Sequence, residues 1–231
     1  MFRKTLMTLT LSLLVMSGLT QARQQATSKD LFLNFQTNAS QSSSSGGQSG
    51  KPGARVQIER KRNGRLAFVS PTQPILSGDQ IAFRTTLNFA GYLTVLNFGT
   101  SGKISTLYYG QVNPGKDMRI PAEGWITVAG PAGKEVVNFM MSGANPFQGA
   151  AVQPVPVPSS GGSVTYTTST GAPTAQSDVQ SVLDAANARA LENGKRDLLP
   201  PDTLGNETFV LANTTQIPNR PLGFSITLNH K

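Results

Sequence analysis

From Gln80 to Phe89 the side chains alternate without a break: Ile81, Phe83, Thr85, Leu87 and Phe89 hold one phase, Gln80, Ala82, Arg84, Thr86 and Asn88 the other. Successive strand residues point to opposite faces, so such a segment buries one row and wets the other, whereas a helix would scatter both rows round its surface. Short apolar runs punctuated by turn residues continue along the chain. Val56 and Ile58 alternate with Gln57 and Glu59 as far as Asn63-Gly64, two residues that tolerate positive φ and so mark a hairpin, and Leu66 to Val69 returns. Tyr92 to Phe98 is nearly continuously apolar, as in a central strand covered on both faces. Gly99-Thr100-Ser101-Gly102 then turns the chain into Ile104 to Tyr109, and further strands are expected over 117–120, 124–128, 135–141, 208–212 and 223–229. Leu222, Phe224, Ile226, Leu228 and His230 share a phase, which sets His230 at the fraying end of a core-facing row. One helix interrupts the strands, capped by Ser177, carrying Asp178 in its first turn and stopped by Gly194. The fold expected is all-β: an antiparallel β-sandwich, immunoglobulin-like in general architecture, with one short helix before the last strands.

The ends and interruptions of this pattern set the domain organisation. Arg3 and Lys4 precede an uncharged apolar run from Thr5 to Leu19, and Thr20-Gln21-Ala22 places small residues for cleavage, so residues 1–22 read as a secretory signal peptide. The run is shorter and more diluted by Thr and Ser than the roughly 20 apolar residues of a membrane span. No later stretch is apolar enough to cross, so the expected location is bacterial periplasm or outside the cell. Residues 23–53 read as a flexible N-terminal segment, Ser- and Gly-rich from 36 onward, with an apolar island of Leu31, Phe32, Leu33 and Phe35 that docks as a strand on a partner or packs on its own domain. A single β-sandwich domain then spans 54–231, interrupted at 142–176 by an uncharged Pro/Ser/Thr-rich tract expected to be disordered.

Composition narrows the chemistry. The 231 residues include no Cys and one His, which excludes disulfides, thiolate nucleophiles, Cys-ligated zinc and any multi-His metal site; no metal and no cofactor are expected. A Ser-His-Asp triad would have to use His230. Asp79, after Ser77-Gly78, reads as a turn residue whose carboxylate accepts backbone N–H groups, and Glu135, after Gly130-Pro131-Ala132-Gly133, reads in the same way. Gly99 to Lys103 lacks the Gly-Lys-Ser/Thr ending of a phosphate loop and leads into a strand, so it is a hairpin turn.

Twenty Lys and Arg against 12 Asp and Glu give a net charge of +8, which becomes +6 once Arg3 and Lys4 leave with the signal. Much of the excess gathers at one hairpin. Arg60, Lys61, Arg62 and Arg65 flank the Asn63-Gly64 turn and are the candidate binding residues for an anionic surface, drawn by their summed field. The same cluster also fits a solvated turn that serves solubility alone. Without stacking aromatics or a recognition helix it does not read as a sequence-specific nucleic-acid site.

Several of these motifs together resemble a known family. Ser77-Gly78-Asp79-Gln80, then Gly91-Tyr92-Leu93-Thr94-Val95-Leu96-Asn97, Gly99-Thr100-Ser101-Gly102-Lys103 and Leu107-Tyr108-Tyr109, are similar to the bacterial domain of unknown function family 4384. Ile120-Pro121, Trp125 and Gly130-Pro131-Ala132-Gly133-Lys134-Glu135 extend the likeness over roughly residues 55–141, and Phe209-Val210 and Leu228-Asn229-His230 carry it more loosely. Tyr108-Tyr109 stand where the family has Phe-Pro, and the Pro/Ser/Thr tract splits the domain. The resemblance implies a bacterial β-rich module, exported or joined to other domains, with no catalytic residues to carry over.

Two function classes follow. The first is a non-catalytic extracytoplasmic interaction module that binds an envelope protein or an anionic envelope polymer. The alternative is a carboxylate-dependent hydrolase whose acidic groups meet only in the fold.

Overall fold

The computed structural model describes residues 26–38, 50–100, 104–146, 152–153, 167–168 and 176–231. The signal-peptide reading of 1–22 lies outside these residues, as do most of the Ser/Gly-rich segment and most of the Pro/Ser/Thr tract. In chain order the elements are α1 (Ser28–Asn38), β1 (Gly53–Arg62), β2 (Arg65–Val69), β3 (Gln80–Leu87), β4 (Gly91–Phe98), β5 (Ile104–Val112), β6 (Met118–Ile120), β7 (Ile126–Thr127), β8 (Gly133–Ser142), β9 (Val152–Gln153), β10 (Thr167–Thr168), α2 (Gln176–Asp197), β11 (Asp202–Leu204), β12 (Glu207–Leu211) and β13 (Leu222–His230).

Two antiparallel sheets face each other. In the first, β1 lies between β3 and the collinear pair β2 and β12; β11 flanks β12, while β6 and β7 share the far side of β3. The second runs β13-β8-β4-β5. The two short strands β9 and β10 pair antiparallel with each other. The alternating row read from the sequence forms the contact layer: Ile81, Phe83 and Leu87 of β3, with Val56 and Ile58 of β1, pack against Leu93, Val95, Phe139 and Phe224 of the second sheet. Phe83 and Phe139 meet edge to face at 5.5 Å across the gap, an arrangement aromatic pairs prefer because ring edges are positive and faces negative. The antiparallel sandwich expected from the sequence is therefore the architecture.

Helices cover part of both outer faces, and here the expectation needs correcting. The helix before the last strands is not short: α2 has 22 residues and runs past Gly194 to Asp197. It lies on the outer face of the second sheet, where Ala190 buries against Leu96 and Met140. Leu96 and Val95 thus point to opposite covered faces, so β4 is the doubly buried central strand its apolar run indicated. The apolar island at 31–35 is helical and not a strand. Thr27 and Asp30 cap α1 reciprocally, the Asp30 carboxylate accepting from the Thr27 N–H at 3.0 Å and the Thr27 hydroxyl oxygen from the Asp30 N–H at 3.2 Å. Phe32 then packs edge to face on Phe209 at 5.6 Å, so the island serves its own domain. Asn88, fully buried, locks this corner: its Oδ1 accepts from Gly53 N–H at 2.7 Å and its amide donates to the Phe32 and Lys51 carbonyls.

Candidate anion-binding hairpin

Strand register decides which way the basic residues point. On β1, Ala54, Val56 and Ile58 face the core, and period 2 carries that row on to Arg60 and Arg62. Asn63 and Gly64 turn the chain with φ of +50° and +76°, the two positive values a tight hairpin demands. The return strand sets Ala67 opposite Arg60 and Arg65 opposite Arg62, and directly opposed residues share a face. Three arginines therefore share one face of the ribbon at an open concavity of about 630 Å³, lined by Arg60, Arg62, Asn63, Arg65, Leu66 and Ala67. Lys61 does not join them. It falls on the opposite face, its ammonium 5.8 Å from the Trp125 ring, which also carries the Arg119 guanidinium at 4.2 Å. The expected four-residue projection resolves into three arginines on one side and a lysine on the other.

The three arginines differ in role. Arg62 donates from Nε and Nη2 to the two oxygens of Asp79, each at 2.6 Å, a bidentate pair whose carboxylate is 2% exposed. Those hydrogen bonds hold the Asp79 carboxyl below the ordinary carboxylate range; burial opposes them, while the Leu76 N–H and the charges of Arg62 and Arg60 add to the pull. Asp79 is thus the turn residue expected, accepting the Leu76 N–H at 2.9 Å, and in addition the anchor that fixes Arg62. Arg60 and Arg65 make no ion pair among the described residues, and the Arg60 Nε is buried without a hydrogen-bond partner. A positioned guanidinium beside two uncommitted ones suits a multidentate anion such as a phosphate.

On the outer face of the first sheet the charges are committed to one another. Glu59 pairs with Arg119 at 2.9 Å, Arg55 with Glu207 at 3.4 Å, and Arg84 with Asp117 at 3.3 Å. Glu59, Glu207 and Asp117 thus each satisfy an arginine.

His230 keeps its core-facing place and makes a hydrogen bond at the strand end, as its phase indicated, whereas Glu135 departs from its reading as a turn residue. His230 is not frayed: it is 3% exposed, bridges to Ile75, and its Nε2 lies 2.8 Å from the exposed Ser77 hydroxyl, while Nδ1 is buried without a partner among the described residues. The cause is long-range, because the loop before β3 lays Ile75 beside the end of β13, where the Lys231 N–H donates to the Ile75 carbonyl at 3.0 Å. Glu135 is a strand residue of β8, 6% exposed, and not a turn acceptor. Burial pushes its carboxyl up, and the charge of His230 draws it partly back. Among the described residues no three His, Asp or Glu side chains gather into a metal-binding group. Residues 101–103 of the expected 99–103 turn lie outside the described residues, but β4 and β5 pair antiparallel on either side of it.

This geometry covers the centre of the chain that the motifs singled out. Residues 76–145 match the family model described as Domain of unknown function (DUF4384). The matched segment supplies Leu76 and Asp79, all of β3 to β8, and Trp125. The hairpin arginines themselves, Arg60, Arg62 and Arg65, precede it, so this basic tip is built by the chain before the matched segment. No match was found among curated proteins or among solved structures.

Proposed function

We propose that this protein is a non-catalytic, extracytoplasmic interaction module of the bacterial envelope that binds an anionic envelope component through the inner face of the β1–β2 hairpin. The observation that supports this reading is the convergence of Arg60, Arg62 and Arg65 on one open concavity, with a single carboxylate, Asp79, engaged by only one of them. The exported setting rests on the charged, apolar and small-residue succession of residues 1–22. Anion binding here needs no chemical step, since guanidinium groups in a fixed fork bind phosphate or carboxylate oxygens by charge and hydrogen bonding together.

The test is retention of the purified protein on isolated envelope material across a salt series. Each basic side chain at an anionic surface contributes about 1 kcal/mol, so the double variant Arg60→Gln/Arg65→Gln should lose about 2 kcal/mol, roughly thirty-fold in apparent Kd. Its salt dependence should flatten at the same time. Arg62 is left in place because removing it strands the buried Asp79 carboxylate. Unchanged retention and an unchanged salt slope in the double variant would refute the proposal.

A further inference from the structure

The hairpin that carries the arginines also carries exposed hydrocarbon. Leu66 is 59% exposed and Phe68 43%, both on β2, and Leu76, 40% exposed, sits in the loop whose N–H holds Asp79 and through it Arg62. Half of the six large exposed hydrophobic residues among those described thus stand at or beside one basic tip. Among the described residues strand β2 pairs only with β1, and four of its five residues are exposed. Proteins usually blunt such an edge with charge or cover it, because an apolar edge strand invites aggregation. Its wetted leucine and phenylalanine call for a reason.

From this combination we infer that the anionic component is a phospholipid surface, with the β1–β2 hairpin lying in its headgroup layer; this rests on the anion-binding reading above. A dissolved polyanion held in the concavity leaves Phe68 in water. A headgroup layer takes both: phosphates meet Arg60 and Arg65 on one face of the ribbon, and the boundary of the acyl chains meets Leu66 and Phe68 on the other, beside Lys61. The hairpin's own acid, Glu59, does not oppose this approach, since it is paired with Arg119. Trp125, the chain's single tryptophan, lies under Lys61 on that same outer face, so its emission reports the arrival of the surface.

Vesicles of phosphatidylcholine, with and without phosphatidylglycerol, separate the terms, with soluble polyphosphate as the polymer probe. The wild-type protein should sediment with the phosphatidylglycerol vesicles and shift its Trp125 emission, and do neither with phosphatidylcholine alone. Phe68→Ser, which lies outside the concavity, should weaken vesicle binding about three- to ten-fold, the loss expected for one partly buried apolar side chain, and leave polyphosphate binding unchanged. Arg60→Gln/Arg65→Gln should weaken both. Phe68 and Arg65 are exposed and Arg60 is half-buried, and matching urea midpoints establish that the variants are folded. If Phe68→Ser binds phosphatidylglycerol vesicles as tightly as wild type, or if wild type binds polyphosphate and no vesicle, the lipid inference is wrong while the anion-binding reading stands. Binding of neither probe overturns both.

Discussion

Asp79 and Arg62 show how one buried carboxylate organises a surface. The pair links the end of β1 to the turn before β3, and its bidentate geometry holds Arg62 in one orientation at the rim of the concavity. Asp79→Asn should therefore cost about 1.5 to 3 kcal/mol near neutral pH, towards the lower figure because the Arg62 side chain is 34% exposed. The sign of its pH dependence follows from the lowered carboxyl: the native state sheds this proton more readily than the unfolded chain. The stabilisation is complete above the unfolded value of about 3.9 and fades as pH falls through the lower native one. Urea midpoints of wild type and variant should thus differ at about pH 7 and converge towards about pH 2. A constant difference down to the acid end would assign the loss to shape and not to charge. None of this was legible locally, because Arg62 and Asp79 read separately as a free cation and a turn acceptor. The clue lay in phase: Arg62 sits in register with the core-facing Val56 and Ile58.

Helix α2 illustrates a signal whose local meaning and tertiary meaning differ. A glycine at 194 reads as a helix stop, since it gives up more conformational freedom than any other residue in a helix. The helix passes through it because Gly194 is where α2 lies against β13: a Cβ there would collide with the Gly223 carbonyl oxygen, and one on Gly223 would crowd the Ala190 and Leu191 backbone. Gly194→Ala would gain about 1 kcal/mol from helix propensity alone. Backbone cannot give way as the end of a side chain can, so the substitution should instead lower stability, read as a lower urea midpoint. A raised midpoint would show that α2 does not rest on β13 as closely as described. Strands behaved differently. The Leu222 to His230 row and the Ile81 to Phe89 row were plain in the sequence, since a period of two residues is a property of the strand itself. Helix α1 was missed although Thr27 and Asp30 spell its capping pair, because five residues holding four apolar side chains fit a short strand equally well.

Taken as a whole, the described chain is a sandwich whose outer faces are partly closed by one helix from the N-terminal segment and one placed before the last strands. The N-terminal segment expected to be flexible contributes α1, and α1 covers the face of β12 that the core does not use: Phe32, Phe209 and Leu211 form their own buried cluster. A chain beginning at residue 50 should therefore unfold more readily than one beginning at residue 23, by about 2 to 4 kcal/mol for the lost Phe32 burial and ring contact. The comparison is made by urea unfolding. Equal midpoints would mean that the domain begins at β1, as the composition shift near residue 53 had suggested.

The all-β character, the Asn63-Gly64 turn, the alternating core rows and the clustering of charge were properties of neighbours along the chain, and neighbours are what a sequence displays. Partnership across distance was not: Arg62 with Asp79, His230 with Ser77, Phe32 with Phe209 and the division of Arg60 and Lys61 between two faces all depend on how strands register and which loops they bring together. Alternation sorts side chains into faces, but only closure of the sheets says what each face meets. The basic hairpin was therefore visible as composition from the start, and became a surface, with arginines on one side and exposed leucine and phenylalanine on the other, once β2 had paired with β1.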